Sequence, residues 1–556
     1  LQVPKTVFYN PVQGFNRDLS VLVMKTYLKY NVWHHKNEER HIQSRGGMKV
    51  LDALSASGLR SIRYAKELGP AGDIIDKIVA NDLSDTAVNL IRKNIELNEV
   101  RDKVTCTQSD AIHLLNQSSL SFDERFHVID LDPFGTGAQF FDAAVRSIGE
   151  AGILMVTCTD VAVLCGNASE SCFARYGSMS VRADFCHEVA LRIVLRSLEQ
   201  HAAVYGRFIK PLFSISVDFY VRVFIQVFTQ QVETKKSASK LSQLFLCKEC
   251  KTHELNKLGS YDIKSDSKQA ASKNLAVKCS FKPSELQLGD KCKICQGRYI
   301  IAGPIWSDPI HDSDFLKLLK RELALPETEQ QFATYKRIQG LVYVCSEELN
   351  EPALFYSTNN IASVLKAKMP RTRDVLSALL NAGYNVSRTH CYQYGFKTNA
   401  PSEVVWDIFC QHTEQSYGSL EAFLCKRKDE TSLPVRIMNR RNRVKTFNFT
   451  YNSKIETESE QLALVRFQIN PAKEWGPKSR PKASEQELQS FGTTPNDELK
   501  GRLVQTSDKN HHLVGSSKDD SNHSEGEQEM KLAAVNSDEQ SKGKKRKLDD
   551  EQIGEI

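Results

Sequence analysis

The stretch "RFHVIDLDPFGTG" (residues 125–137) decides how this chain is read. An apolar run ends abruptly in Asp130-Leu131-Asp132-Pro133-Phe134-Gly135. Asp, Pro and Gly all favour turns, so a plain strand-to-turn junction is one reading. The other is a site that grips a flat ring bearing an amino group. A carboxylate and a carbonyl would accept its N–H groups, and the aromatic would cover its face.

The flanking sequence favours the second reading. Short apolar runs alternate with amphipathic stretches from Lys49 to Phe228. Strands are expected at 49–54, 77–82, 103–111, 125–132 and 152–160, and helices at 58–68, 84–98, 139–148 and 183–200. Residues 213–228 alternate as one long strand or a hairpin. Strand–helix alternation predicts a mostly parallel sheet wrapped by helices. Ligands of such sheets sit at the carboxyl ends of the strands. The first strand ends at Asp52 and leads through small residues to Gly58 and Arg60. The second ends at Asp82, where an acid commonly takes ribose hydroxyls. The third leads to Asp110-Ala111, and the fourth to Asp132-Pro133-Phe134. Each feature alone is ordinary turn chemistry, but four in order point to a nucleoside-containing cofactor. The loop has neither G-x-G-x-x-G nor a Walker GK[ST], which argues against a dinucleotide or ATP.

The chain has 556 residues, a net charge of +6 and 14 cysteines. Its length predicts two to four domains. The mild positive charge permits a polyanionic partner. Scattered cysteines suit a reducing compartment, not a disulfide scaffold. No long apolar run suggests a membrane span. The first residue is Leu1, not Met, so the native N-terminus is expected upstream, leaving room for an organelle presequence. No obligate protein partner is evident.

Acid, proline and aromatic in this order resemble the [DN]-P-P-[FYW] motif of S-adenosylmethionine-dependent amino-methyltransferases, one proline short. Seven blocks carry a closer resemblance: "VFYNPVQGFNRDLSV" (7–21), "LDALSASGLRSIRYA" (51–65), "ANDLSDTAV" (80–88), "IDLDPFGT" (129–136), "VTCTDVAVLCG" (156–166), "CHEVALRIV" (186–194) and "RTHCYQYGFKTNAP" (388–401). Together they resemble the tRNA (guanine-26-N2)-dimethyltransferase family over roughly residues 4–410. The resemblance implies an α/β fold, with a class I (Rossmann-like) S-adenosylmethionine methyltransferase domain, a zinc-bearing insert, a smaller α+β C-terminal domain and a disordered tail. Arg17 and Arg60 are then expected at the methionine end of the cofactor, with Arg17 in an ordered loop. Asp82 is expected on the ribose, and Asp110 and Ala111 around the adenine, with Asp52 in the same pocket. Asp132 and the Pro133 carbonyl would hold guanine N2 between Phe8 and Phe134. The target base would have to be extruded from folded tRNA.

Cys247-x-x-Cys250 and Cys292-x-x-Cys295 form two knuckles suited to a structural zinc held by four thiolates, with Cys279 and His253 as substitutes. The lysine-rich segment between them, Lys257–Lys278, is expected to loop out. Cys106, Cys158, Cys165, Cys172 and Cys186 read as core. Arg388, Thr389, His390 and Lys397 are expected to contact tRNA. "RIMNRRNRVK" (436–445) reads either as a phosphate-contacting run or as a solvated face. "KGKKRK" (542–547) reads as a nuclear localisation signal or an RNA patch, with mitochondrion or cytoplasm as further compartments.

The expected division is a methyltransferase domain (1–230), a zinc segment (231–305), a tRNA-binding domain (306–425), a basic extension (426–480) and a disordered tail (481–556). Two other functions stay open. One is a tRNA-binding or chaperone-like protein without catalysis. The other is an amino-methyltransferase for another base, such as adenine at N6.

Overall fold

The computed structural model describes residues 10–33, 42, 46–264, 278–427, 429–444 and 446–467. All lie in the first of two contact units, Leu1–Pro481 and Lys482–Ile556. Phe8, the 542–547 cluster and the expected disordered tail fall outside the described residues.

Seven strands form one sheet: β1 (Met48–Asp52), β2 (Ile75–Asp82), β3 (Val104–Gln108), β4 (Phe126–Leu131), β5 (Ile148–Cys158), β6 (Arg207–Val217) and β7 (Tyr220–Thr229). Their spatial order is β3-β2-β1-β4-β5-β7-β6. The first five are mutually parallel, and β7 runs antiparallel between β5 and β6. The 213–228 region is therefore the end of one strand and most of the next. They pair from Val217↔Tyr220 outward, with Asp218 at the turn in the left-handed region (φ 51°).

The apolar runs are continuous, not alternating, because both sheet faces are covered. Leu51, Ile129 and Leu154 face one core, and Val50, Val128 and Ile153 face the other. Helix Cys186–Val204 fills the first core, and helix Gly14–Lys29 fills the second. This second helix replaces the ordered loop expected around Arg17.

The cysteine-bearing region adds β8 (Leu241–Cys247), β9 (His253–Lys257), β10 (Gly259–Lys264), β11 (Lys278–Pro283) and β12 (Tyr299–Trp306). Strands β12-β8-β9 form an antiparallel sheet. Leu244, Leu246, Ala302 and Ile305 from it enter the first core beside helix Cys186–Val204. The segment expected to loop out instead begins and ends as the β10–β11 ribbon, paired from Gly259↔Pro283 to Lys264↔Lys278. Beyond it, β13 (Tyr356–Ser357), β14 (Val386–Arg388) and β15 (Gly395–Thr398) form a small sheet, order β13-β15-β14. Helices Thr372–Asn381 and Ser402–Tyr417 pack with it around Trp406 and Phe396.

Candidate active site

Sheet order reverses at β1, so the carboxyl ends of β1 and β4 border the ligand crevice of an open sheet. Asp52 and Asp130 are paired neighbours there. Two residues past Asp130, the chain leaves the sheet at Asp132, on the same side as Asp130 because strand side chains alternate. Arg60, in the first turn of helix Leu59–Glu67, reaches both acids. Its Nη2 contacts the Asp132 carboxylate, and its Nη1 lies 3.5 Å from Asp130 Oδ2.

A second guanidinium comes from β7. Arg222 is fully buried, and its Nη2 donates to Asp130 Oδ1 at 2.9 Å while its Nη1 donates to Thr157 on β5. Tyr64 donates its hydroxyl to Asp130 Oδ2 at 2.5 Å. Ser20, on helix Gly14–Lys29, accepts from Arg60 at 2.9 Å and Arg222 at 2.8 Å. Asp130 is thus the buried hub that fixes both arginines, and Asp132 is the partly exposed acid at the crevice. Burial pushes the Asp132 carboxyl up, but Arg60 and then Arg222 outweigh it, and the net shift is downward. Asp132 is therefore held ionised.

Phe134 is 42 % exposed, with Gly135 beside it at φ 75°. The loop behind the ring is pinned by the segment that follows β5 and by helix Ser169–Tyr176. Gly135 N donates to Thr159 Oγ1 at 2.8 Å, and Thr159 N returns a bond to Gly135 O at 2.8 Å. Thr136 donates to Tyr176 OH at 2.7 Å, and Tyr176 donates to Asp160 at 2.8 Å. The turn chemistry of Asp-Pro-Phe-Gly is real, and it presents the aromatic outward.

On the other flank, Asp82 ends β2. Its Oδ2 accepts from Ala56 N at 2.9 Å and its Oδ1 from Ser84 N at 3.0 Å. Ala56 (φ 51°) and Gly58 (φ 77°) are both left-handed, and a Cβ on Gly58 would lie 3.3 Å from Ile91. The β1 loop is therefore drawn against the β2 acid. Each Asp82 oxygen keeps a lone pair for a diol, so this flank fits a ribose. Asp110 caps helix Ala111–Ser119, accepting from Ile112 N and His113 N, and Ala111 is buried behind it. Arg17 donates to Asn10 O at 3.2 Å. Asp52 differs from expectation. It is buried and accepts from Ser61 Oγ at 2.8 Å, and burial, with Asp130 nearby, pushes its carboxyl up to about 6. Its place is behind the crevice wall.

Sequence reasoning missed Ser20, Tyr64, Asp130 and Arg222 as parts of this site. One signal was available: an arginine inside the apolar run "FYVRVFIQV" must find a buried partner.

The four knuckle cysteines converge. All are buried, with Cys247 Sγ 3.4 Å from Cys295 Sγ and Cys250 Sγ 3.6 Å from Cys292 Sγ. Tetrahedral zinc thiolate, with bonds of about 2.3 Å, needs sulfur separations of about 3.8 Å. Ile294 N and Gly297 N each point at a cysteine sulfur at 3.4 Å, as such knuckles require. The donor set therefore fits zinc. His253 is not part of it; its ring packs on Phe185 and Tyr356. The side chain of Cys279 lies outside the described residues. Cys158 and Cys172 are buried as expected, but Cys106, Cys165 and Cys186 are only half-buried. Cys165 and Cys186 group with His187.

Three expected tRNA contacts are corrected. Thr389, His390 and Lys397 are interior residues. Lys397 Nζ lies 3.0 Å from Glu188 and 2.8 Å from Glu348, and His390 Nδ1 lies 2.7 Å from Glu348. Thr389 donates to Glu348 at 3.3 Å. His311, Cys345, Glu348 and His390 also group as if around an ion, but Lys397 and His390 already engage the carboxylate. The group is an ionic lock between helix Cys186–Val204 and the β14–β15 region. Two of the four arginines of 436–445, Arg440 and Arg443, also point inward, and a third, Arg436, is held in an ion pair at the surface. Arg436 pairs with Glu249, Arg440 with Asp407, and Arg443 with Glu414 at 2.9 Å. Only Arg388 of the expected set still borders a cleft.

The family described as N2,N2-dimethylguanosine tRNA methyltransferase matches residues 1–410. The chain is 39 % identical over 493 residues to the tRNA (guanine(26)-N(2))-dimethyltransferase of Caenorhabditis elegans, covering 86 % of this chain and 90 % of that one. It is 34 % identical over 530 residues to the Saccharomyces cerevisiae protein named tRNA (guanine(26)-N(2))-dimethyltransferase, mitochondrial, covering 86 % and 90 %. Among solved structures, it resembles Trm1 from Pyrococcus horikoshii in complex with S-adenosyl-L-methionine. There the identity is 28 % and the TM-score 0.58, over 73 % of this chain and 96 % of that one. With the sheet order, the crevice acids and these likenesses in agreement, the chain belongs to the N2,N2-dimethylguanosine tRNA methyltransferase family.

Proposed function

We propose that this chain is an S-adenosylmethionine-dependent methyltransferase that dimethylates the exocyclic N2 of guanine 26 in tRNA. The observation that carries this reading is Asp132: an ionised carboxylate at the crevice, locked by Arg60, with an exposed Phe134 two residues on. Asp82 and the loop Ala53–Gly58 would hold the nucleoside part of the cofactor, and Arg17 and Arg60 its methionine part. Bound S-adenosylmethionine supplies an electrophilic methyl group on a sulfonium.

The chain's own residues do the rest. The N2 lone pair is delocalised into the purine, so the amine is a weak nucleophile. The Asp132 carboxylate and the Pro133 carbonyl accept its two N–H bonds and aim the lone pair, an orientation effect worth several kcal/mol. Positive charge grows on nitrogen during attack, and the fixed carboxylate stabilises it. The nitrogen then loses a proton to Asp132 and, through its exposed edge, to water. One N–H remains after the first transfer, so one acceptor still holds the amine for the second. Stacking on Phe134, with Phe8 as the second face, offsets base extrusion by about 1–3 kcal/mol.

The four-cysteine group would carry a structural zinc that ties Cys247–Cys250 to Cys292–Cys295. The basic 542–547 run suits nuclear import, and the name of the yeast relative makes mitochondria a second destination to test by tagging the chain.

Nucleoside mass spectrometry tests the reading. Purified chain with S-adenosylmethionine should convert guanine 26 of a tRNA transcript to N2,N2-dimethylguanosine. Asp132→Ala should abolish this while tRNA still binds. An Asp132→Ala variant with full turnover removes the assigned role, and methylation of adenine N6 instead would favour the alternative base.

A further inference from the structure

A second cleft lies in the C-terminal region, with a volume of about 420 Å³. Arg373 and Arg388 border it, Leu376 and Ile455 floor it, and Tyr451 stands at its edge. The two acids at the rim are already committed. Glu456 accepts the Tyr451 hydroxyl, and Glu460 pairs with Arg466 at 2.8 Å. Arg373 is 57 % exposed and lies 3.9 Å from Asp374, too far for a hydrogen bond. Arg388 ends β14, paired with Phe396, in a half-buried position, and its side chain has no hydrogen bond or ion pair to any described residue. Burial pulls its guanidinium below the ordinary arginine value, Arg466 adds to this, and the charge of Glu460 offsets only part of it.

A half-buried guanidinium with no carboxylate in hydrogen-bond contact is costly, and proteins seldom keep one without a use. We propose that this cleft binds an RNA phosphodiester, with Arg388 and Arg373 on the phosphate and the neighbouring sugar or base against Tyr451. The proposal rests on the tRNA reading and deepens it. Arginine offers the planar, bidentate geometry that phosphate oxygens accept. Tyr451, 51 % exposed, offers a ring face for stacking. The apolar floor favours a phosphate that carries a nucleoside over a free ion.

The test uses the full chain and three readouts: tRNA affinity, its salt dependence and thermal stability. Arg388→Met should weaken tRNA binding about tenfold and flatten the log–log salt slope by about one, the loss of one phosphate contact. Its melting temperature should stay level or rise, because no hydrogen bond or ion pair of the side chain is lost. Arg373→Gln, at an exposed position, should weaken binding in the same direction and guards against misfolding of the first variant. Unchanged affinity and slope in both variants would overturn the proposal. So would a lower melting temperature in Arg388→Met with tRNA affinity intact, which would make the guanidinium structural. Inorganic phosphate separates the sources. If millimolar phosphate stabilises the wild type but not Arg388→Met, and tRNA affinity is equal in both, the cleft is a free-phosphate site and the RNA assignment falls. A wild-type chain that methylates no tRNA would instead refute the functional reading.

Discussion

Replacing Arg222 by Met tests the architecture behind Asp132, the proposed catalytic acid. The side chains of Arg222 and Asp130 are both fully buried and lie 2.9 Å apart. Removing one partner of such a pair leaves a charge without compensation and typically costs about 3–5 kcal/mol. Here Asp130 keeps Tyr64 at 2.5 Å and Arg60 at 3.5 Å, so the low end applies, about 3 kcal/mol. Asp130→Asn alone strands the Arg222 guanidinium, since Arg60 keeps Asp132, and should cost a similar amount. The double variant strands less charge than the sum implies, so the coupling energy should reach about 2 kcal/mol, within the range for residues in contact. Urea unfolding of the four proteins, followed by fluorescence, measures the cycle. Turnover at saturating substrates should also fall in Arg222→Met, because Arg60 is then free to shift toward Asp130 and away from Asp132. Single losses under about 1 kcal/mol that simply add would show a solvent-screened pair and refute the buried-hub argument.

Three further outcomes follow from the geometry. Asp132 is depressed in the folded protein, so its contribution to stability is present above the ordinary Asp value of about 3.9 and is lost as pH falls through the lower folded value. A rate profile between about pH 5 and 8 should therefore show no titration that disappears in Asp132→Asn; finding one would contradict the assignment. Cys292→Ser should lower bound zinc, measured by mass spectrometry of the metal, and reduce the melting temperature; unchanged zinc stoichiometry would remove the four-cysteine proposal. Lys397→Met should destabilise the fold by about 3 kcal/mol, since Glu188 and Glu348 keep only Arg192 and His390 as charged partners. A loss of tRNA affinity at unchanged stability would restore Lys397 to the RNA-binding face.

Local pattern was enough for much of the molecule. Apolar runs ending in Asp52, Asp82 and Asp130 are visible as strands because burial on both sheet faces requires continuous apolar sequence. The two cysteine knuckles are equally legible, since their ligand spacing is set within four residues. Three of the seven blocks that carried the family resemblance, 51–65, 80–88 and 129–136, lie at the ends of these strands. What a side chain meets across the fold was not legible. Arg222 and Asp130 are brought together only when β7 inserts between β5 and β6 and its arginine crosses toward β4. Lys397 and Arg388 sit nine residues apart with the same charge, and sequence alone treated them alike. The fold buries one between two glutamates and leaves the other at a cleft with no carboxylate in hydrogen-bond contact. Hydrophobic periodicity is a property of neighbours along the chain. Charge neutralisation depends on partners far away in sequence, so only the packed structure could sort structural cations from those left to meet a ligand.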